Sequence, residues 1–302
     1  MKNMTVKVSG LVIAMLLALP VISAAQGMGQ TQGMGQSSGM GTSTANGKMS
    51  TPPNQAQNPP DTKQAPPAAA PPALDPKEED AFKKLSGMQN ADPKDIVKSG
   101  DDFSKGFPKS NHLETVYSIM AAAYMQLGDD GNLFKYGNKT LAMNPANVDA
   151  LAVMTVATAR RIDPDQRVDA ANKEKQVDDW GGKCVNALNA LVKPDGVTDA
   201  DFARSRDGKL AMCYSGLGQT ALFEGKVPDA VKDLTMATKL EGSQPDPVDL
   251  YLLGMSLAAG KQYNEAVTVF QQCIKDSDQR MVPMCQEQLN GAKKEAAKAP
   301  KQ

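Results

Sequence analysis

The chain divides where its hydrophobic pattern changes. From Leu74 onward apolar residues recur at three- and four-residue steps, the period at which side chains share one face of an α-helix. Val177, Trp180, Cys184, Leu188 and Leu191 form one such stripe, ending by Pro194, so Trp180 is expected in a core rather than as a ligand platform. The helix before it is predicted from Val148 to Arg161 and stops at Asp163-Pro164, because the residue before a proline avoids the helical region. Thr198-Asp199-Ala200-Asp201 reads as an N-cap with an acidic first turn, opening a long helix toward Phe223. After Pro283, residues 284–298 read as a last helix with a lysine-rich outer face.

Small residues add a second rhythm. Gly218 is followed twelve residues later by Ala230, and Gly254 and Ala266 repeat that spacing. Leu234 and Phe270 stand four residues past each alanine, on the same helical face. Two antiparallel helices in close contact need small side chains at facing points. Gly225 and Gly260 are expected to reverse the chain between them. The predicted class is all-α.

Upstream of Leu74 the pattern is different. Lys2 and Lys7 form a positive region, Leu11 to Leu19 an apolar one, and Pro20 breaks it before Ser23-Ala24-Ala25. This is expected to be a signal peptide over 1–25, cleaved before Gln26. An apolar run of about ten residues is too short to span roughly 30 Å of hydrocarbon, which argues against a membrane anchor. No cysteine follows it, which argues against a lipoprotein. Residues 26–74 hold almost no aliphatic side chains and read as a disordered low-complexity linker. Its first half repeats Gly-Met-Gly; its second carries proline pairs at 52–53, 59–60, 66–67 and 71–72 that stiffen it toward polyproline II. Met28, Met34 and Met40 could offer thioethers to Cu(I), but no His or Cys lies nearby, and a tether is the expectation.

Composition narrows function by exclusion. The formal net charge of −1 gives no global field for nucleic acid or an anionic membrane. Aromatics are 5% of residues, which suits helices packed through small side chains better than a sheet. His112 is the single histidine, placed in a loop, and no Gly-x-Ser-x-Gly element accompanies it, so a catalytic triad is not expected. Asp129-Asp130-Gly131-Asn132 lacks the later glutamate of a calcium loop and reads as a polar turn. Four cysteines in an exported chain point to disulfides, with three pairings open; no Cys-x-x-Cys suggests thiol catalysis. No catalytic residue, metal or cofactor is expected.

The repeating segments resemble the tetratricopeptide family, with about 34 residues per helix–turn–helix. Tyr117, Met120, Ala121, Tyr124, Gly128, Leu141 and Pro145 match its successive positions, while Leu133, Gly137 and Thr140 depart from them. Phe107-Pro108-Lys109-Ser110 looks like the junction of the bacterial-envelope subgroup. The resemblance implies a solenoid over 75–298, with units near 77–107, 114–147, 148–194, 211–244 and 247–280 and a cap at 284–298. In that register the second helix of one unit lies beside the first of the next, implying Cys184–Cys213 and Cys273–Cys285.

The family also implies a non-enzymatic, periplasmic or secreted scaffold that binds a protein or peptide in its concave groove, with envelope assembly or maintenance as the setting. The alternative is a self-associating subunit with no groove ligand. Neither nucleic acid nor stable membrane insertion after signal cleavage is expected. Groove positions carried over are Ser118, Ala122 and Gln126, then Val153, Val156 and Arg160. Ser215, Gln219, Leu222 and Phe223 follow, and last Tyr251, Met255 and Ala258. Gln126, Arg160, Gln219, Phe223, Tyr251 and Met255 are the partner-binding candidates, with Phe223 and Tyr251 as exposed anchors and Arg160 as the single charge. The basic clamp with which some members grip a C-terminal carboxylate is absent.

Overall fold

Helix starts are written into the sequence as caps. Asp75, Asp92 and Asp246 each precede a proline, and each carboxylate accepts the backbone N–H two residues on, at 2.9, 2.8 and 2.8 Å. The proline brings a φ ready for helix and lacks the N–H that would go unpaired there. Asp129, Asn147 and Thr198 do the same job without proline, at 3.0, 2.8 and 3.1 Å from the N–H three residues on.

The computed structural model describes residues 75–88 and 90–298. The expected signal peptide and linker, over 1–25 and 26–74, lie outside the described residues. Within them are eleven helices and no strand: α1 Pro76–Ser86, α2 Pro93–Gly106, α3 Leu113–Leu127, α4 Asp130–Met143, α5 Val148–Ala159 and α6 Arg167–Asn189. α7 Asp199–Phe223, α8 Val227–Leu240, α9 Pro247–Ala259, α10 Tyr263–Asp276 and α11 Val282–Ala296 are the other five among the described residues. Successive helices pair as α1/α2, α3/α4, α5/α6, α7/α8 and α9/α10, and α11 closes the stack against α10 and α9. The first helix of each later pair also touches its predecessor, α3 to α5, α5 to α7 and α7 to α9. This is an all-α solenoid of tetratricopeptide type. Among the described residues no helix is long and apolar enough to cross a membrane.

The turns after α7 and α9 share one set of bonds. After α7, Gly225 N–H reaches Leu222 O at 3.1 Å and Lys226 N–H reaches Ala221 O at 2.8 Å, with Gly225 left-handed at φ 75°. After α9 the same bonds form from Lys261 and Gln262, at 3.0 and 2.9 Å. The left-handed residue there is Lys261, φ 62°, and the expected Gly260 sits at φ −76°. The capping bonds fix which position must turn, and it falls one residue past the glycine.

Packing accounts for the departures from the repeat pattern. Ala230 and Ala266 are fully buried, as facing positions must be. Gly137 stands where the family has a large apolar side chain. Met154, from α5 of the next pair, fills that space so closely that a Cβ on Gly137 would overlap its sulfur. Thr140 is buried too, its hydroxyl donating to Tyr136 O at 3.0 Å. Cys184–Cys213 joins α6 to α7, and Cys273–Cys285 joins α10 to α11. Trp180 is partly buried between the aromatic core of α3/α4 and the Leu151–Leu188–Leu210 core.

Candidate partner-binding surface

The expected groove positions fall on α3, α5, α7 and α9, and burial sorts them. Ser118, Val153, Val156, Ser215, Gln219 and Tyr251 are all 5% exposed or less. Tyr251 and Gln219 are therefore core residues here rather than contacts offered to a partner. The Tyr251 ring packs edge-on to Phe270 at 6.3 Å, and burial raises its hydroxyl pKa. Phe223 is half-buried against the cluster of Ala159, Ile162, Ala170 and Val177, so its ring is not an exposed anchor either. The cause is how near the first helices lie to each other. A Cβ on Gly216 of α7 would sit 2.7 Å from Thr155 Cγ2 and 3.0 Å from the Thr155 carbonyl oxygen. Helix backbones that close leave little inner face open at their middles, and α5 is buried from Ala150 through Ala159.

Partial exposure survives toward the C-terminal ends of the same helices. Ala122 and Gln126 on α3, Arg160 capping α5, Leu222 on α7, and Met255 and Ala258 on α9 keep it. This strip is apolar to weakly polar. Its one guanidinium is engaged, with Arg160 Nη2 3.8 Å from Asp246 Oδ2, an ion pair too long for a hydrogen bond. Beside the strip the end of α7 is acidic. Glu224 pairs with Lys226 at 2.7 Å, and its charge adds to burial in raising the Glu174 and Asp178 pKa values.

Two polar joints tie successive pairs together. At the first, Glu114 of α3 accepts from Asn144 Nδ2 at 2.7 Å and Asn147 Nδ2 at 2.8 Å, on the approach to α5. At the second, Ser215 Oγ donates to Asp249 Oδ1 at 2.6 Å, and Asp246 N–H donates to Glu241 Oε2 at 2.8 Å. Asp249 is 2% exposed. Sequence reasoning missed this second joint: Asp246 and Asp249 have the spacing of helix-start acids, and Ser215 lies 34 residues away. That interval is one repeat, which was the available signal.

His112, in the loop as expected, also clasps α1. Its ring stacks on Phe82 at 3.8 Å, and Nε2 lies 2.7 Å from Glu79 Oε1. Among the described residues no group of three or more His, Cys, Asp or Glu could hold a metal ion.

No family model matches the chain, and no curated protein matches it. Solved structures do. A thermophilic TPR protein of Thermus thermophilus, TTC0263, aligns at 15% identity over 70% of this chain and 98% of its own, with a TM-score of 0.44. The assembly chaperone of RpL4, Acl4, aligns at 9% identity over 73% and 99%, with a TM-score of 0.37. The TPR2AB domain of yeast Sti1, solved as a pHSP90 complex, aligns at 12% identity over 73% and 85%, with a TM-score of 0.27. None of the three carries an argument about what this chain binds.

Proposed function

We propose that the chain is an exported, non-enzymatic scaffold that binds a protein or peptide partner along the strip formed by Ala122, Gln126, Leu222, Met255 and Ala258. The observation that carries this reading is the row itself. Three first helices, α3, α7 and α9, present partly exposed, mostly apolar side chains toward their C-terminal ends, and an extended peptide could follow such a row. Arg160 borders the row but is committed to Asp246, so its contribution to a partner is secondary. Export is supported by the leader-like residues 1–25 and by two cystine bridges, which persist in oxidising compartments.

The test compares the wild-type chain with Gln126→Glu and Met255→Glu in recovering partners from an envelope extract. A partner held by the wild type and lost from both variants, with melting unchanged, supports the strip. A partner recovered equally by all three places its binding elsewhere. Tyr251→Ala serves as the contrast: it should cost about 3 kcal/mol or more of stability, as an emptied core site does.

A further inference from the structure

The second joint holds acids that partner binding does not use. Asp249 sits in the first turn of α9, and Glu241 caps the end of α8. A hydrogen bond joins their two carboxyls. Such a bond exists only while one partner carries a proton, since a carboxylate has no donor. The bond raises the Glu241 pKa and lowers that of Asp249, so Glu241 is the proton holder and Asp249 the acceptor.

The charged groups around the pair come from several elements. α5 brings Arg160, and the turn between α8 and α9 brings Asp246, which lies 3.8 Å from Arg160. α7 brings the neutral Ser215, and α11 brings Glu287, which acts on Tyr251 two residues further along α9. With the proton in place, Asp246 and Asp249 face one guanidinium. Without it, three carboxylates do, two of them drawn toward water that their packing excludes.

We propose that the Glu241–Asp249 pair is a proton-held latch that keeps α9 seated on α7 and the end of α8, and that releases α9 as the pair ionises. Burial, followed by the charge of a neighbouring acid, pushes Asp249 up to about 7 and Glu241 up to about 9. In the unfolded chain both ionise near 4, as ordinary carboxyls do at about that pH. The folded state therefore keeps protons that the unfolded state has lost. The seat is at full strength below pH about 4 and weakens as pH rises through 7 toward 9. This holds whether or not the strip binds a partner.

Hydrogen exchange on the full chain from pH 5 to 9, corrected for intrinsic rates, tests the latch. Opening of residues 247–259 should increase by up to about tenfold per pH unit for each proton released. The double variant Asp249→Asn, Glu241→Gln should flatten that profile. Glu241→Gln alone, which keeps a fixed donor in the bond, should flatten its upper half and decides the matter if the double variant does not fold. A flat wild-type profile overturns the latch, and so does a variant that keeps the wild-type slope.

Discussion

Ser118 and Ser215 stand on the first helices of two different pairs, and each meets the start of the next first helix. Ser118 lies 3.4 Å from Asn147 Oδ1, a weak contact, whereas Ser215 donates to Asp249 Oδ1 at 2.6 Å. At the first joint one carboxylate, Glu114, is answered by two amides, and Asn147 also caps α5 by accepting the Ala150 N–H at 2.8 Å. The Glu114 carboxyl there only accepts, and both of its partners are amide donors. At the second joint acid answers acid, and the contact is complete only with a borrowed proton. The same place in the repeat can thus be closed by neutral amides or by a shared proton. The second solution alone makes packing depend on pH.

The largest difference between the two regions should come from the cystines. Both lie C-terminal to the first joint, closing intervals of 29 and 12 residues. Reduction should cost about 2–4 kcal/mol for each bridge, through the unfolded chain's regained freedom. Exchange protection should fall over 167–296 and hold over 76–143; equal loss in both would erase the contrast. Next in size is Asp249→Asn, which removes a buried charge while keeping an acceptor for Ser215. It should raise stability by roughly 2 kcal/mol at pH 8 and by little at pH 5, because the raised pKa costs the native fold only above the ordinary carboxyl range. A melting curve showing the same gain at both pH values would break the comparison. Smallest is Asn147→Ala at the first joint, expected to cost about 1 kcal/mol for the lost cap, equally at pH 5 and pH 8.

How much of this was legible in the sequence follows from what is local. The stripe from Val177 to Leu188, the cap at Thr198 and the Gly218/Ala230 spacing depend on neighbours within a few turns, and the structure realises them as helices. Whether the inner face stays open depends instead on the distance between α5 and α7. That distance is set by a contact between Thr155 and Gly216, sixty-one residues apart, which no periodicity reports. The burial of Tyr251 and Gln219 could not be read from the sequence for that reason. Lys261 took the left-handed position because capping bonds, not residue preference, fixed the turn's register. The Met154 side chain filling the space at Gly137 is likewise a contact between pairs, invisible within either one.

The measurement that bears most directly on the contrast between the joints is a carbon-detected NMR titration of the side-chain carboxyls of Glu241 and Asp249. The account predicts that both carboxyls titrate well above the ordinary carboxyl range, in two steps that belong to the pair, with each shift sensing the other's ionisation. If both carboxyls instead titrate independently at about 4, like exposed acids, the shared proton does not exist and the two joints are equivalent.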